Sequence, residues 1–466
     1  MTTRHDVRVQ AIAQQVKAFY KNKVPFKIYR GATNSTRVVS FEKDKMLDTG
    51  QLNHVLAVDT EHLTAQVEPN VPMDVLVRET LRHGLIPPVV MEFPGITVGG
   101  GLQGGAGESS SYKWGTFNRI LNWYDIILAD GSLVRVSPSK HADLFWGGAG
   151  AYGSLGVVTR AELRLIPAKK YVEITYVPVR GFAQAISAIE QEIQKKPDFI
   201  DGIMFSRSSG VIIVGNLADE SAMSEQTFTK AADEWFYIHA QKQVRGGQRT
   251  TERIPLTDYL FRYDRGAFWM GRFAFERLKT PFNRFTRWLL DPLLHTRKMY
   301  DALQASGVSQ ECIIQDLALP KRNTVPFLKY IDKTFGMYPL WLCPLLPDDK
   351  SPLLSSYLDT DLVINIGVWG RYHGTYQAFV EANKQLEAKV KSFQGKKWLY
   401  AHAYYDEATF WNIYGGKQWY EKLRKKYKTE SLPTVFNKVR VDKRYKVSAK
   451  RGIMFALLGL SGIRRN

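Results

Sequence analysis

ITVGGGLQGGAGESSS, the stretch from Ile96 to Ser111, decides how this chain is read. Six glycines fall between Gly99 and Gly107. Only glycine lets a main chain take positive φ repeatedly or approach a ligand without Cβ interference. The run is expected to form a backbone cradle for a phosphate-bearing cofactor, with a flexible surface loop as the plainer alternative. Strand-like segments flank it and a second turn, GATNST (Gly31 to Thr36), precedes it, which favours the cradle.

Outward from this run, the first 170 residues alternate short β-like runs with turns. An amphipathic stretch, Val7 to Tyr20, leads into FKIYR, RVVSF, HVLAVDT and TAQVEPN, whose β-branched residues and period of two predict strands. DTEHL (Asp59 to Leu63) supplies a hairpin turn, Val75 to His83 a short helix, and Asp130-Gly131 a second hairpin within YDIILADGSLVRVSP. GSLGVVTRAELRLIP closes the unit. Beyond Lys170, YVEITYVPV, DGIMFS, GVIIVGN, VINIGVW and KWLYAHAYY read as strands, and FAQAISAIEQEIQKK and FVEANKQLEAKVKSF as helices. The expected division is a cofactor domain (1–170), an α+β substrate domain (171–425) and a basic C-terminal segment (426–466), with the cofactor between tightly docked domains.

With 466 residues and 44% hydrophobic content, the protein is able to bury a large core. Cys312 and Cys343 lack metal-ligand spacing and cannot make a disulfide framework, so no metal site and a reducing, intracellular compartment are expected. The first twenty-five residues hold no long apolar block, so neither a secretory signal nor a membrane anchor is expected there. Of the formal +19, most sits in residues 417–466, with fifteen Lys/Arg against three acids. Within that segment GIMFALLGLSGI (Gly452 to Ile463) is too short to span a bilayer; it suits either peripheral contact with a membrane such as the endoplasmic reticulum, or a docked helix. No nucleic-acid module accompanies the charge, so that partner is not expected.

Two substrings match the dinucleotide fingerprint G-x-G-x-x-G, Gly99/Gly101/Gly104 and Gly148/Gly150/Gly153. Neither has the required strand before it, helix after it and acid at the end of the next strand. Three backbone-rich segments in order, GATNST, TVGGGLQGGAGESS and GAYGSLGVVT, instead resemble the FAD-binding domain of the vanillyl-alcohol oxidase, or PCMH, type. The resemblance narrows through ESSSYKWG (Glu108 to Gly115), LADGSLVR, ADLFWG and RLIPAKKYV (Arg164 to Val172). It continues through VPVRGF, IPLTDY, QDLALP (Gln315 to Pro320), YPLWLCPLLP (Tyr338 to Pro347), INIGVWG and LYAHAYYDEATFW (Leu399 to Trp411). On these motifs the protein resembles the FAD-linked Δ24-sterol reductase family almost end to end. That resemblance implies an α+β fold of a PCMH-type FAD-binding domain with a second α+β cap domain. It also implies FAD as cofactor, NADPH or a separate reductase as electron source, and an alkene in the tail of a sterol or terpenoid as substrate. A flavin oxidase of the same fold acting on an alcohol or sugar lactone, and a non-enzymatic FAD-retaining lipid binder, are the alternatives.

The resemblance places cofactor contacts at Gly31, Thr33, Asn34, Ser35 and Thr36; at Thr97, Val98, Gly99, Gly100, Gly101, Gly104, Gly105, Gly107, Glu108, Ser109 and Ser110; and at Gly153, Ser154, Gly156 and Val157. The first turn has no histidine and the glycine run neither histidine nor cysteine, so FAD is expected to be non-covalent. An isolated alkene is poorly electrophilic, so reduction needs a proton donor opposite the flavin and a dry, aromatic wall for transient positive charge. Alternation across LYAHAYYDEATFW would put Tyr400, His402 and Tyr404 on one strand face as a relay, with Asp406 beside them; half-buried core is the plainer reading. Tyr338 and Trp341 are wall candidates, and Lys113 a cation to face the reduced flavin.

Overall fold

In the first sheet, short apolar strands pair through the turns that the sequence marks. The computed structural model describes residues 3–31, 34–220, 222–354, 360–441, 443–460 and 464–465, with backbone alone at 40, 41, 43, 464 and 465. Val55–Asp59, Thr64–Val67, Val157–Arg164, Leu121–Ile127 and Leu133–Val136 form a five-stranded antiparallel sheet in that spatial order. DTEHL joins the first pair. At the other edge the Asp130 carboxylate accepts from Ser132 N–H and Oγ–H, and Gly131 takes φ +85°, which turns the backbone for the second hairpin. The helix Arg4–Lys21 starts on a reciprocal Thr3–Asp6 capping box and packs Val9, Ile12 and Val16 against Ile127 and Val157.

The second sheet has eight antiparallel strands. In spatial order they are Thr250–Pro255, Tyr171–Val179, Ser209–Ala218, Phe199–Ser206, Leu340–Leu345, Val363–Arg371, Cys312–Pro320 and Lys396–Lys397. Its central strands are buried on both faces. Ile200, Leu342, Ile366 and Leu317 point into a core shared with the helices Phe182–Ile193, Lys321–Thr334 and Tyr376–Ser392. Each fully buried Leu or Ile there contributes about 1.5–3 kcal/mol. The alternate residues, among them Trp341, Cys343, Asn365, Trp369 and Asp316, face the cofactor half of the molecule.

Two expectations are corrected. KWLYAHAYY is not a strand beyond Lys396–Lys397: the backbone turns at residues 398–401, where the Arg37 guanidinium donates to the carbonyls of Leu399 (2.7 Å), Tyr400 (3.3 Å) and Ala401 (2.8 Å). These contacts hold the segment to the GATNST turn, so its carbonyls are unavailable to a sheet neighbour. The expected boundary at 425 also fails to mark a break. From Trp398, whose indole N–H donates to Gly105 O at 2.6 Å, the polypeptide packs back on the cofactor half. Tyr427 O–H donates to Asp143 at 2.6 Å, and Leu423 covers Gly147.

Candidate active site

A cavity of about 850 Å³ lies between the two sheets, within the range of about 300–1,000 Å³ usual for ligand sites. The glycine run forms part of its wall in a way the sequence reading missed. Val98–Gly104 is a short helix capped by Thr97, whose Oγ1 accepts from Gly100 N–H, and of the run only Gly105 has positive φ. Its first N–H groups are already used: Val98 donates to Val71 O, Gly99 to Pro69 O and Gly101 to Thr97 O. The glycines act through missing side chains. A Cβ on Gly99 would meet Pro69 at 2.8 Å and one on Gly101 the Met91 methyl at 2.6 Å, so these two let the helix sink against its neighbours. Gly104 turns its bare face to the cavity, where the nearest atom to a new Cβ is Tyr152 Oη at 3.8 Å.

Of the expected cofactor residues, the structure brings Asn34, Ser35, Thr97, Gly99, Gly100, Gly104, Gly107, Gly153 and Val157 onto the cavity wall. Others lie off it. Val98 and Gly101 are buried in the helix packing, and Gly105 and Gly156, both at positive φ, pack on Leu354 and Ile127 O. Gly31 is a turn glycine at φ +83°, and Thr36 N–H donates to Tyr400 O. Ser154 Oγ–H donates to Ala151 O, ordinary turn chemistry. Glu108, Ser109 and Ser110 are corrected as direct ligands: all three are buried, and both serine hydroxyls donate to the Glu108 carboxylate. Thr33 lies outside the described residues.

Positive charge fits the wall to a phosphate-bearing group. Arg30, Arg37, Lys438 and Arg440 all border the cavity, and Lys438 Nζ sits 3.2 Å from where a Gly153 Cβ would be. Burial, then the charges of Lys27, Arg30 and Arg37, push the Lys438 ammonium down to about 7. Such crowding of cations favours an anionic occupant. Lys438 and Arg440 belong to the basic C-terminal segment, so part of that charge faces the cavity rather than an external surface. Cys312 and Cys343 also line it, but burial pushes the Cys312 thiol up to about 12 and the Cys343 thiol well above its ordinary range. Neither is poised as a nucleophile.

The second sheet supplies the opposite wall. Phe268, Trp341 and Trp369 cluster there, with Phe268 4.5 Å from Trp369 and 5.3 Å from Trp341 between ring centroids. Trp341 is held by its indole N–H donating to Asp201 at 3.0 Å, within a buried group where Arg262 and Tyr263 also donate to Asp201. Beside them Tyr400 O–H donates to Asp316 Oδ2 at 2.7 Å, and Asn365 Nδ2 donates to Asp316 Oδ1 at 2.9 Å. Burial raises the Asp316 carboxyl to about 6 despite those bonds. Glu92 Oε1 has no hydrogen-bond partner among the described residues, and burial followed by the Glu108 charge raises Glu92 well above the carboxylate range.

The relay expectation is corrected with the strand. Tyr400 reaches the cavity; His402 and Tyr404 pack with Phe379 on the helix-covered side. Burial, then Arg37 and Lys397, hold the His402 imidazole down to about 3, so it stays neutral and offers no acidic imidazolium proton. Asp406 caps the helix Glu407–Ile413 by accepting from Thr409 N–H. Lys113 pairs with Asp198 at 3.0 Å, away from the cavity, and Tyr338 donates to Asp332. Sequence reasoning missed Glu92, Asp316, Asn365, Phe268, Trp369, Arg30 and Lys438. Glu92 carried a local signal, as the one acid in the apolar run VVMEF before the glycines, and Asp316 a similar one, as the one acid in CIIQDLALP.

Comparison with known proteins agrees with this architecture. A family model described as an FAD binding domain matches residues 8–137. The chain is 31% identical over 445 residues to the Delta(24)-sterol reductase of Homo sapiens, covering 93% of this chain and 86% of that one. It is 29% identical to the Delta(24)-sterol reductase of Arabidopsis thaliana, covering 82% and 74%, and 24% identical to the Delta(24)-sterol reductase homolog of Caenorhabditis elegans, covering 93% and 87%. Likeness at this level along nearly the full length, on a cavity fitted to a phosphate-bearing cofactor at one wall and an apolar ligand at the other, places the chain in the FAD-dependent Δ24-sterol reductase family.

Proposed function

We propose that this protein reduces the Δ24 C=C of a sterol, or the matching bond of a related terpenoid, with NADPH as electron source. FAD supplies hydride chemistry when bound non-covalently, and Arg30, Arg37, Lys438 and the bare face of the glycine helix are the groups suited to hold it. The observation carrying the reading is the continuity of that wall with Phe268, Trp341 and Trp369 in one cavity. These aromatic faces exclude water and offer negative electrostatic potential to a carbon gaining positive character. Tyr400 O–H donates to the Asp316 carboxylate; once Asp316 is protonated this bond reverses, the carboxyl O–H donating to Tyr400 Oη, so that its proton passes to Oη as the phenol proton passes to one alkene carbon, and Asn365 remains as donor to the carboxylate left behind. Burial, then the Glu108 charge, favours the protonated form of Glu92.

Incubating the holoprotein with NADPH and desmosterol under nitrogen, then analysing sterols by mass spectrometry, tests this. The saturated side chain is expected. Reoxidation of the reduced flavin by air with no effect of sterol would favour the oxidase reading. Among the described residues no helix is long and apolar enough to cross a membrane, and peripheral contact with the endoplasmic reticulum is part of the proposal.

A further inference from the structure

Two short helices beside the cavity turn apolar side chains outward. On Arg284–Leu290, Phe285 is 65%, Trp288 50% and Leu289 58% exposed; on Ala449–Leu458, Leu457 and Leu458 are 63% and 64% exposed. A solvated helix would not keep five large apolar groups on display without a partner. The helix Thr296–Ser306 links them. Its start follows the Asp291–Leu293 turn that ends the first helix, and its far end receives Gly452 of the second, where a Cβ would stand 2.9 Å from both Ala302 O and Ser306 Cβ. Lys298, near its start, lies beside Gly459 at the end of the second. The inner sides of these same elements are cavity wall, through Leu290, Leu294, Met299, Leu303 and Ala456. Ile453 marks the rim, since it lines the cavity and is also 38% exposed.

Charge identifies the occupant. Residues 278–290 carry Lys279, Arg284 and Arg287 and no acid. Among the described residues of 443–460 there are Lys443, Arg444, Lys446, Lys450 and Arg451, again with no acid. Apolar groups flanked by an excess of cations, on helices too short to span, suit the plane of an anionic bilayer, where apolar insertion and attraction to headgroups add.

We infer that the outward face of Arg284–Leu290 and Ala449–Leu458 docks on an anionic lipid bilayer, and that the gap beside Ile453 is the door through which an apolar substrate passes from lipid into the cavity. The door rests on the sterol reading above; the docking surface does not. The test uses the FAD-loaded protein and two double variants, Phe285→Ser/Trp288→Ser and Leu457→Ser/Leu458→Ser, none of which touches the cavity. Co-sedimentation with phosphatidylcholine vesicles, with and without phosphatidylserine, is measured beside turnover of sterol delivered in vesicles or in cyclodextrin. Wild type is expected to bind the phosphatidylserine vesicles, and each variant to bind them about tenfold or more weakly at unchanged flavin content and Tm. Vesicle-delivered turnover should fall with binding while cyclodextrin-delivered turnover holds. Variants that bind like wild type, a wild type that ignores anionic vesicles, or a concentration-dependent dimer broken by the same variants would overturn the docking surface. Vesicle binding as stated with no reduction of sterol from either source would leave the surface standing and overturn the sterol reading and the door with it.

Discussion

Gly104→Val separates the cofactor wall from the fold. Gly104 ends the helix Val98–Gly104 without positive φ, and valine is no worse a helix former than glycine. A Cβ at this position meets Tyr152 Oη no closer than 3.8 Å, ordinary van der Waals contact, so the new side chain projects into the cavity. Its neighbour behaves oppositely. Gly105 sits at φ +63° with Leu354 packed over it, so Gly105→Ala strains the backbone and collides with a buried side chain. Placing a valine where a cofactor must lie carries an overpacking penalty of about 1–3 kcal/mol, which is about a 5- to 150-fold loss of FAD affinity. Visible flavin absorbance of the purified protein, titration of stripped protein with FAD, and thermal unfolding of both forms measure it. Gly104→Val is expected to purify pale with the Tm of flavin-free wild type, and Gly105→Ala with a lowered Tm even without flavin. A fully yellow Gly104→Val with unchanged affinity would refute the assignment of this wall to FAD.

Other outcomes follow from the same geometry. Asp316 titrates near 6 and must be protonated to act, so sterol-dependent flavin reoxidation should fall about tenfold per pH unit above that value, and Asp316→Asn or Tyr400→Phe should slow it about 10²- to 10⁴-fold while leaving reduction by NADPH unchanged, as stopped-flow traces of each half-reaction would show. Glu92→Gln keeps a neutral group of the same shape and should leave steady-state turnover within about threefold; a loss as large as that of Asp316→Asn would make Glu92 the acid instead. In the flavin-free protein the Lys438 ammonium titrates near 7, below its ordinary 10.5, so between these values the unfolded state binds more protons and stability rises with pH. Urea midpoints from pH 7 upward should climb in wild type and flatten in Lys438→Met.

The first sheet was legible because its strands are short β-branched runs whose hairpins carry turn residues such as Asp130-Gly131, whereas Thr250–Pro255, Cys312–Pro320 and Leu340–Leu345 of the second sheet were not read as strands, the last two being buried on both faces and showing no alternation. The glycine run does line the cavity, but as a short helix rather than the looped backbone cradle expected from the sequence. Gly99 and Gly101 answer to Pro69, Met91 and Phe117, neighbours that a linear pattern does not reveal. The Tyr400–His402–Tyr404 alternation failed because Arg37, more than 350 residues earlier, holds 399–401 in a turn. The basic C-terminal segment was expected at a membrane surface or docked as a helix, with no role at the cofactor site, yet Lys438 folds back onto the cavity beside Gly153. Asp316 lay inside an otherwise ordinary strand, and its role emerges only when Asn365 and Tyr400 are brought to it by separate elements.

The central claim, that one cavity joins a flavin to an apolar alkene, is tested most directly by reducing the yellow holoprotein anaerobically with NADPH and then mixing it with desmosterol. The account predicts that NADPH bleaches the flavin and that desmosterol restores its colour with one equivalent of saturated sterol formed. A flavin that NADPH bleaches but that only oxygen, and never sterol, restores would contradict it.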